Sequence, residues 1–190
     1  PATLRVLDAS STSLRSVPDD VLPDGLTHLF ILDNFQHLTQ LPSRSLPPGL
    51  RVLSIGGHDC SKCDINHMLT LLPDGLMVLV LNDLMSYGEN EHHRLRLPSS
   101  DLPSQLKMLV VSDTNILAVP DDALPDGLLH LHLTGNEELE SIPSKLPHEL
   151  RTLVLGQCDI SYVPILNALP PRLERLDLWN LAVEPDDAVM

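Results

Sequence analysis

One phrase returns throughout this chain and limits what it can fold into: Leu-Pro-x-x-Leu-x-x-Leu-x-Leu. It first appears as Leu22-Pro23-Asp24-Gly25-Leu26, followed by Leu29 and Ile31. It returns at Leu46-Pro47, Leu72-Pro73, Leu102-Pro103, Leu124-Pro125, Leu146-Pro147 and Leu169-Pro170. A unit this short cannot enclose a core of its own. Each copy must lay its apolar side on the next, and the result is a solenoid that offers surface rather than a catalytic cleft.

Taking the first leucine after each Leu-Pro as the anchor gives Leu26, Leu50, Leu76, Leu106, Leu128, Leu150 and Leu173. Leu4 stands 22 residues before Leu26 and heads a first unit that lacks its own Leu-Pro. Residues 1–190 thus read as a single domain of about eight repeats, with steps of 22, 24, 26, 30, 22, 22 and 23 residues. The base period is 22, with added length in the third and fourth repeats.

Apolar residues follow each anchor at +3 and +5, as in Leu76-Leu79-Leu81 and Leu128-Leu131-Leu133. That alternation is the period of a short strand. Every repeat travels the same way round, so successive strands must be parallel. The +8 position holds Thr12, Asn34, Thr114 or Asn136, polar groups able to bond the turning backbone of neighbouring coils. His58, Leu84, Cys158 and Leu181 fill the same slot elsewhere, and the two leucines require those turns to be satisfied by other means. A second apolar pair then precedes a proline, as in Leu139 and Ile142-Pro143 or Ile116 and Val119-Pro120. Two prolines per unit exclude a long helix on the back, which is expected to be extended or 3₁₀, with Asp-Gly pairs making tight turns. One helical stretch is expected over 64–72, where Asp64 caps Ile65, Met68, Leu69 and Leu72.

This pattern resembles the leucine-rich-repeat family over essentially the whole chain. The residues that carry the resemblance are Leu106-x-x-Leu109-x-Val111-x-x-Thr114-x-Ile116 and Leu128-x-x-Leu131-x-Leu133-x-x-Asn136. The short, proline-rich unit is similar to the 22-residue Leu-Pro class of some bacterial effectors and to the FNIP-type repeats of certain protists, with Asn34-Phe35 as the nearest echo of the latter. The resemblance implies an α/β, β-rich solenoid: a horseshoe with a concave parallel β-sheet and a mostly non-helical convex side.

Composition narrows the function classes. The aromatic residues are only Phe30, Phe35, Tyr87, Tyr162 and Trp179, so the core is built of leucine. The net charge of -14 disfavours nucleic acid, because twelve Lys and Arg face 26 carboxylates and no basic cluster stands out. No apolar run is long enough to span a membrane. The opening Pro1-Ala2-Thr3-Leu4 has neither a basic start nor an apolar core, and Cys60, Cys63 and Cys158 are too few for a secreted disulfide scaffold. An intracellular, cytoplasmic protein is the expectation, although a trimmed chain opens the same way.

If +3 and +5 point inward, then +2, +4 and +6 form the concave face. The +2 column reads Val6, His28, Val52, Val78, Met108, His130, Thr152, Arg175. The +4 column reads Asp8, Phe30, Ser54, Val80, Val110, His132, Val154, Asp177, and the +6 column includes Leu32, Gly56, Gly156 and Trp179. Phe30, Leu32, Val52, Val78, Val80, Met108, Val110, His130, His132, Val154 and Trp179 are the candidate partner-binding residues. The bland reading is that valine simply suits a strand, exposed or not. The sharper reading is a surface for a protein partner or a second copy, with Phe30, Met108 and Trp179 as anchors. Trp179 could equally be a terminal cover.

One stretch has the residue types of a metal site. Cys60-x-x-Cys63 followed by His67, with His58 just before, has zinc-ligand types at short spacing, and the next insertion adds His92-His93. The competing reading is structural: His58 sits in the +8 slot, and Cys60 occupies an apolar turn position where cysteine behaves as a small hydrophobe. His130 and His132 alternate on one strand and could tune a pH-dependent contact. No motif places a nucleophile, base and orienting group together, there is no phosphate-binding glycine loop, and no cofactor is expected. The sequence therefore supports a non-enzymatic protein-binding module. The alternatives are a metal-binding module using Cys60, Cys63 and His67, or the targeting part of a longer enzyme.

Overall fold

A computed structural model describes residues 3–34, 38–57, 64–84, 94–99, 102–160, 165–166 and 169–181. Two residues after each anchor a strand begins: β1 (Val6–Asp8), β2 (His28–Leu32), β3 (Val52–Gly56), β4 (Val78–Asn82), β5 (Met108–Ser112), β6 (His130–His132), β7 (Thr152–Gly156) and β8 (Arg175–Trp179). They form one eight-stranded sheet in chain order, and every neighbouring pair is parallel. The register is the repeat itself, since Leu29, Leu53, Leu79, Leu109, Leu131, Leu153 and Leu176 stand side by side.

The leucine core follows from that register. The anchors Leu26, Leu50, Leu76, Leu106, Leu128 and Leu150 are fully buried, as are the +3 leucines from Leu53 to Leu153. Behind them lie Leu38, Ile116, Val119, Leu139 and Ile160, the second apolar set of each coil. The core therefore runs as a continuous rod between the sheet and the back of the solenoid.

The Leu-Pro phrase has a definite structural task. In each unit the anchor N–H donates to the carbonyl of the preceding proline: Leu26 to Pro23, Leu50 to Pro47, Leu76 to Pro73, Leu106 to Pro103, Leu128 to Pro125, Leu150 to Pro147 and Leu173 to Pro170. Proline has no N–H that would need an acceptor there, and its carbonyl closes a four-residue turn that feeds the chain into the strand. The Asp-Gly pairs sit at the centre of these turns, as expected. They do not, however, use a left-handed backbone, because the only positive-φ glycines among the described residues are Gly57 and Gly135.

The left-handed position is instead +7, just past each strand. Ser11, Asp33, Gly57, Asp83, Asp113, Gly135, Gln157 and Asn180 all have φ between 48 and 72. The N–H at +7 donates to the +6 carbonyl of the next coil, as in Asp33 to Gly56, Asp113 to Thr134 and Gln157 to Trp179. The turn thereby continues the sheet's hydrogen bonding for one more rung while swinging the chain toward the back.

At +8 the sequence expectation holds where the residue is Asn. Asn34 and Asn136 are buried, and each amide bridges two coils. Cys158 fills the slot as a donor, with its thiol 3.0 Å from the Leu133 carbonyl. Leu84 is buried in the slot with no polar side-chain role.

Among the described residues the back is helical only at Ile165 and Leu166 and at α1 (Ile65–Leu69), where the carboxylate of Asp64 accepts the His67 N–H at 2.8 Å. The helix is shorter than expected: it closes at Thr70 and leaves Leu72 in the following turn. Elsewhere the described back is made of turns and short extended stretches, with bridges Ser16 to Gln40 and Ala118 to Ser141. A recurring clasp holds it, in which Asp19 accepts from Ser43 and Arg44 while Asp121 accepts from Ser144. Ser43 holds Asp19 below the ordinary carboxylate pKa by donating to it.

Candidate functional site: the outward face of the sheet

Strand alternation sends the +2 and +4 side chains to the face opposite the core. The register aligns them into columns: Val6, His28, Val52, Val78, Met108, His130, Thr152 and Arg175 in one, and Asp8, Phe30, Ser54, Val80, Val110, His132, Val154 and Asp177 in the next. Phe30, Leu32, Val52, Val78, Val80, Met108, Val110 and Val154 are each half-buried. His130 and His132 lie among them on β6.

Charge is distributed unevenly over the molecule. The chain carries 26 acidic and 12 basic residues. None of them stands at an outward position of β2 to β7, which hold only apolar residues, Gly, Ser, Thr, Asn and His. Charge returns at the flanks. On β8 Arg175 donates to Asp177 through Nε at 2.9 Å and Nη2 at 2.6 Å. Asp33, Asp83 and Asp113 line the exit side of the strands at +7. Burial raises the Asp113 carboxyl above its ordinary pKa, and the nearby Asp83 adds to the effect.

The entry side carries cations, but they are occupied. Arg5, Arg51 and Lys107 at +1 donate to the carbonyls of Gly25, Gly75 and Gly127 in the next coil's turn. These contacts tie neighbouring turns together and explain the small residue after each Asp. A Cβ at Gly75 would lie 2.5 Å from Arg51 Nη1, and one at Gly127 would lie 2.9 Å from Lys107 Nζ.

Trp179 has its own arrangement at the edge. Its indole lies over Gly156 of β7 so closely that a Cβ on Gly156 would collide with the ring. Gly156 thus provides a seat for Trp179, which keeps 48% of its surface open. At Gly56 on β3 a Cβ would collide first with the Asn82 carbonyl oxygen, 2.6 Å away, with Leu32 Cδ2 next at 3.2 Å.

The histidines differ in how they are held. His28 Nδ1 lies 2.9 Å from the Thr27 hydroxyl, and its ring stacks against Phe30 with centroids 6.4 Å apart. His67, the described member of the Cys60, Cys63, His67 set, is exposed on α1 with Nε2 2.9 Å from the Ser43 carbonyl. Cys60, Cys63, His58, His92 and His93 lie outside the described residues. The rings of His130 and His132 have no hydrogen-bond partner among the described residues. Burial pulls the pKa of His132 down, His130 and Arg175 add to this, and Asp177 partly opposes it. Among the described residues no three of His, Cys, Asp and Glu come together as a metal cluster, and no helix is long and apolar enough to cross a membrane.

Sequence reasoning missed three periodic features: the left-handed +7 position, the +1 cation donating to the next turn, and the uncharged face as a whole. The first had a signal, because a column reading Ser, Asp, Gly, Asp, Asp, Gly, Gln, Asn is rich in residues that tolerate positive φ.

No family model matches the chain, and no curated protein matches it either. Among solved structures it is similar to CroV588, a circular leucine-rich-repeat protein, at 22% identity over 86% of this chain and a TM-score of 0.57. Looser likenesses are to the functional domain of InlJ from Listeria monocytogenes, which includes a cysteine ladder (15% identity, 94% of this chain, TM-score 0.43), and to YopM from Yersinia enterocolitica (25%, 97%, 0.35). The chain covers 25% of the CroV588 chain, 45% of the InlJ chain and 50% of the YopM chain. The parallel sheet, the buried leucine columns and the likeness to CroV588 lead to one conclusion: this chain has the leucine-rich-repeat fold.

Proposed function

We propose that this chain acts by binding a protein through the outward face of β2 to β7, and that it performs no chemistry of its own. One observation carries the reading: in a chain with 26 carboxylates, no outward position of β2 to β7 holds one. Solvated surfaces of an acidic protein ordinarily carry charge, and an uncharged apolar area bounded by polar groups is the usual composition of a docking patch. The fixed register adds preorganisation, because a partner meets side chains already held in columns and loses little ordering entropy from this side. Phe30, Val80, Met108 and Val110 are the residues from which most of the binding energy is expected.

Single charge insertions test this. Val80→Glu and Val110→Glu put a carboxylate in the middle of the face without touching the core. Each is expected to weaken partner capture by at least about tenfold, while Asp122→Lys on the back leaves it unchanged. Solution mass across a concentration series identifies the occupant. A species heavier than the 20.9 kDa chain that Val80→Glu dissolves makes the partner a second copy. A constant monomer makes it another protein. Partner capture or self-association that withstands both glutamates contradicts the proposal.

A further inference from the structure

We propose that Met108, His130 and His132 form a binding site for copper(I) on the floor of the sheet. The site goes beyond the protein-docking reading: Met108 serves both, while the two histidines are not among the residues expected to carry the docking energy. His130 and His132 are two residues apart on β6 and therefore leave the strand on the same side. Met108 pairs with His130 across the β5–β6 ladder, in the same column. Neighbouring strands are about 4.8 Å apart and alternate residues of one strand about 6.8 Å apart, so two imidazoles and a thioether of this length can reach one common point above the sheet.

The histidines are available for it. His28 is held by a threonine hydroxyl and His67 by a backbone carbonyl, whereas neither ring on β6 has a hydrogen-bond partner among the described residues.

The donor set selects the ion. Imidazole nitrogen with thioether sulfur favours a soft metal, and copper(I) accepts a coordination of only two or three neutral ligands. The walls are apolar or uncharged: Val110 beside Met108 on β5, and Thr152 and Val154 on β7. The nearest charged groups on the face are Arg175 and Asp177, one strand further on and bonded to each other. A divalent ion would bring two charges to a half-buried floor with no free carboxylate to offset them, at a large desolvation cost. A monovalent soft ion brings one.

The test uses the full chain with Cys60→Ser and Cys63→Ser, to remove competing thiols. Copper(I) is supplied without oxygen against a chromogenic copper(I) chelator. The expected result is one equivalent withheld from the chelator, with X-ray absorption showing nitrogen and one sulfur in the first shell. Each replacement copies a neighbour in the same column, so the strand is preserved: His130→Thr follows Thr152, His132→Val follows Val154, and Met108→Val follows Val78. Each histidine variant should weaken binding by at least about tenfold, and Met108→Val should remove the sulfur signal. Unfolding midpoints of the variants confirm that the fold is kept. No competition with the chelator, binding that survives the double histidine variant, a sulfur signal that survives Met108→Val, or zinc binding of equal strength each overturns the proposal.

Discussion

Asn136 holds the turn of the preceding coil from inside: its Oδ1 accepts the Thr114 N–H at 3.1 Å and the Thr114 hydroxyl at 2.8 Å. Its Nδ2 donates to the carbonyls of Val111 at 2.8 Å and Leu133 at 3.1 Å. One buried amide therefore satisfies polar groups on two coils where water cannot reach. Asn136→Leu fills the space but orphans those groups, and should cost about 3 kcal/mol in urea unfolding. Asn136→Cys keeps one donor, as Cys158 does in the next coil, and should cost about half as much. Equal costs for the two would show that the slot requires volume alone.

The +7 column sets up a second contrast. Gly135 has φ 72, and a Cβ there would collide with the Asp113 carboxylate. Gly135→Val should destabilise by about 2 kcal/mol or more, because a branched side chain meets both the strain and the clash. Gln157 bears the left-handed strain already, with φ 52, so Gln157→Gly should stabilise by about 0.5–1 kcal/mol. Thermal unfolding of the two variants checks both signs.

Gly127 should behave unlike Gly135. Its φ is not positive, and an added Cβ meets only the flexible end of Lys107 and, at 3.9 Å, the Ser104 carbonyl. Gly127→Ala should change stability by less than about 1 kcal/mol. A loss comparable to that of Gly135→Val would mean the turn before the strand is tighter than described.

The stack should transmit a core defect locally. Leu131 is fully buried on β6 between Leu109 and Leu153. Leu131→Ala should cost about 2–5 kcal/mol. Hydrogen exchange should rise first in β5, β6 and β7, because each coil packs only on its neighbours. A uniform rise from β1 to β8 would show one global unit instead.

His132 on β6 gives stability a pH dependence. His132 has its pKa lowered from 6.5, chiefly by burial and then by His130 and Arg175. A base so lowered binds its proton more readily in the unfolded chain than in the folded one. Its neutral form is tolerated above 6.5, and stability falls as pH drops through that value toward the lowered pKa, below which no further loss accrues. His132→Val should flatten the stability profile in that window. A profile as steep as that of the parent chain would assign the effect to other groups.

How much of this was legible in the sequence follows from what the repeat encodes. The Leu-Pro phrase carries both the turn and the strand start, so the strand at Val78–Asn82 and its neighbours could be placed to the residue. The columns followed, because a parallel register with one rung per repeat leaves no freedom. The left-handed Ser11 and Gln157 were less visible, since neither residue type advertises positive φ. The Arg5 and Lys107 contacts with the next turn were also hidden, because a surface cation can point anywhere until its neighbour is placed. Cys60 and Cys63 lie outside the described residues, and His67 has its ring nitrogen on a carbonyl. The chemistry of the face is legible only as composition: the sequence shows which residues share it but not what they touch.

The most direct test of the docking face is site-specific photo-crosslinking, with the photoreactive group at position 80 in one sample and at position 145 on the back in another. The account predicts adducts from position 80 that Val110→Glu suppresses, and none above background from position 145. Adducts of equal yield from both positions, or from position 145 alone, would contradict it.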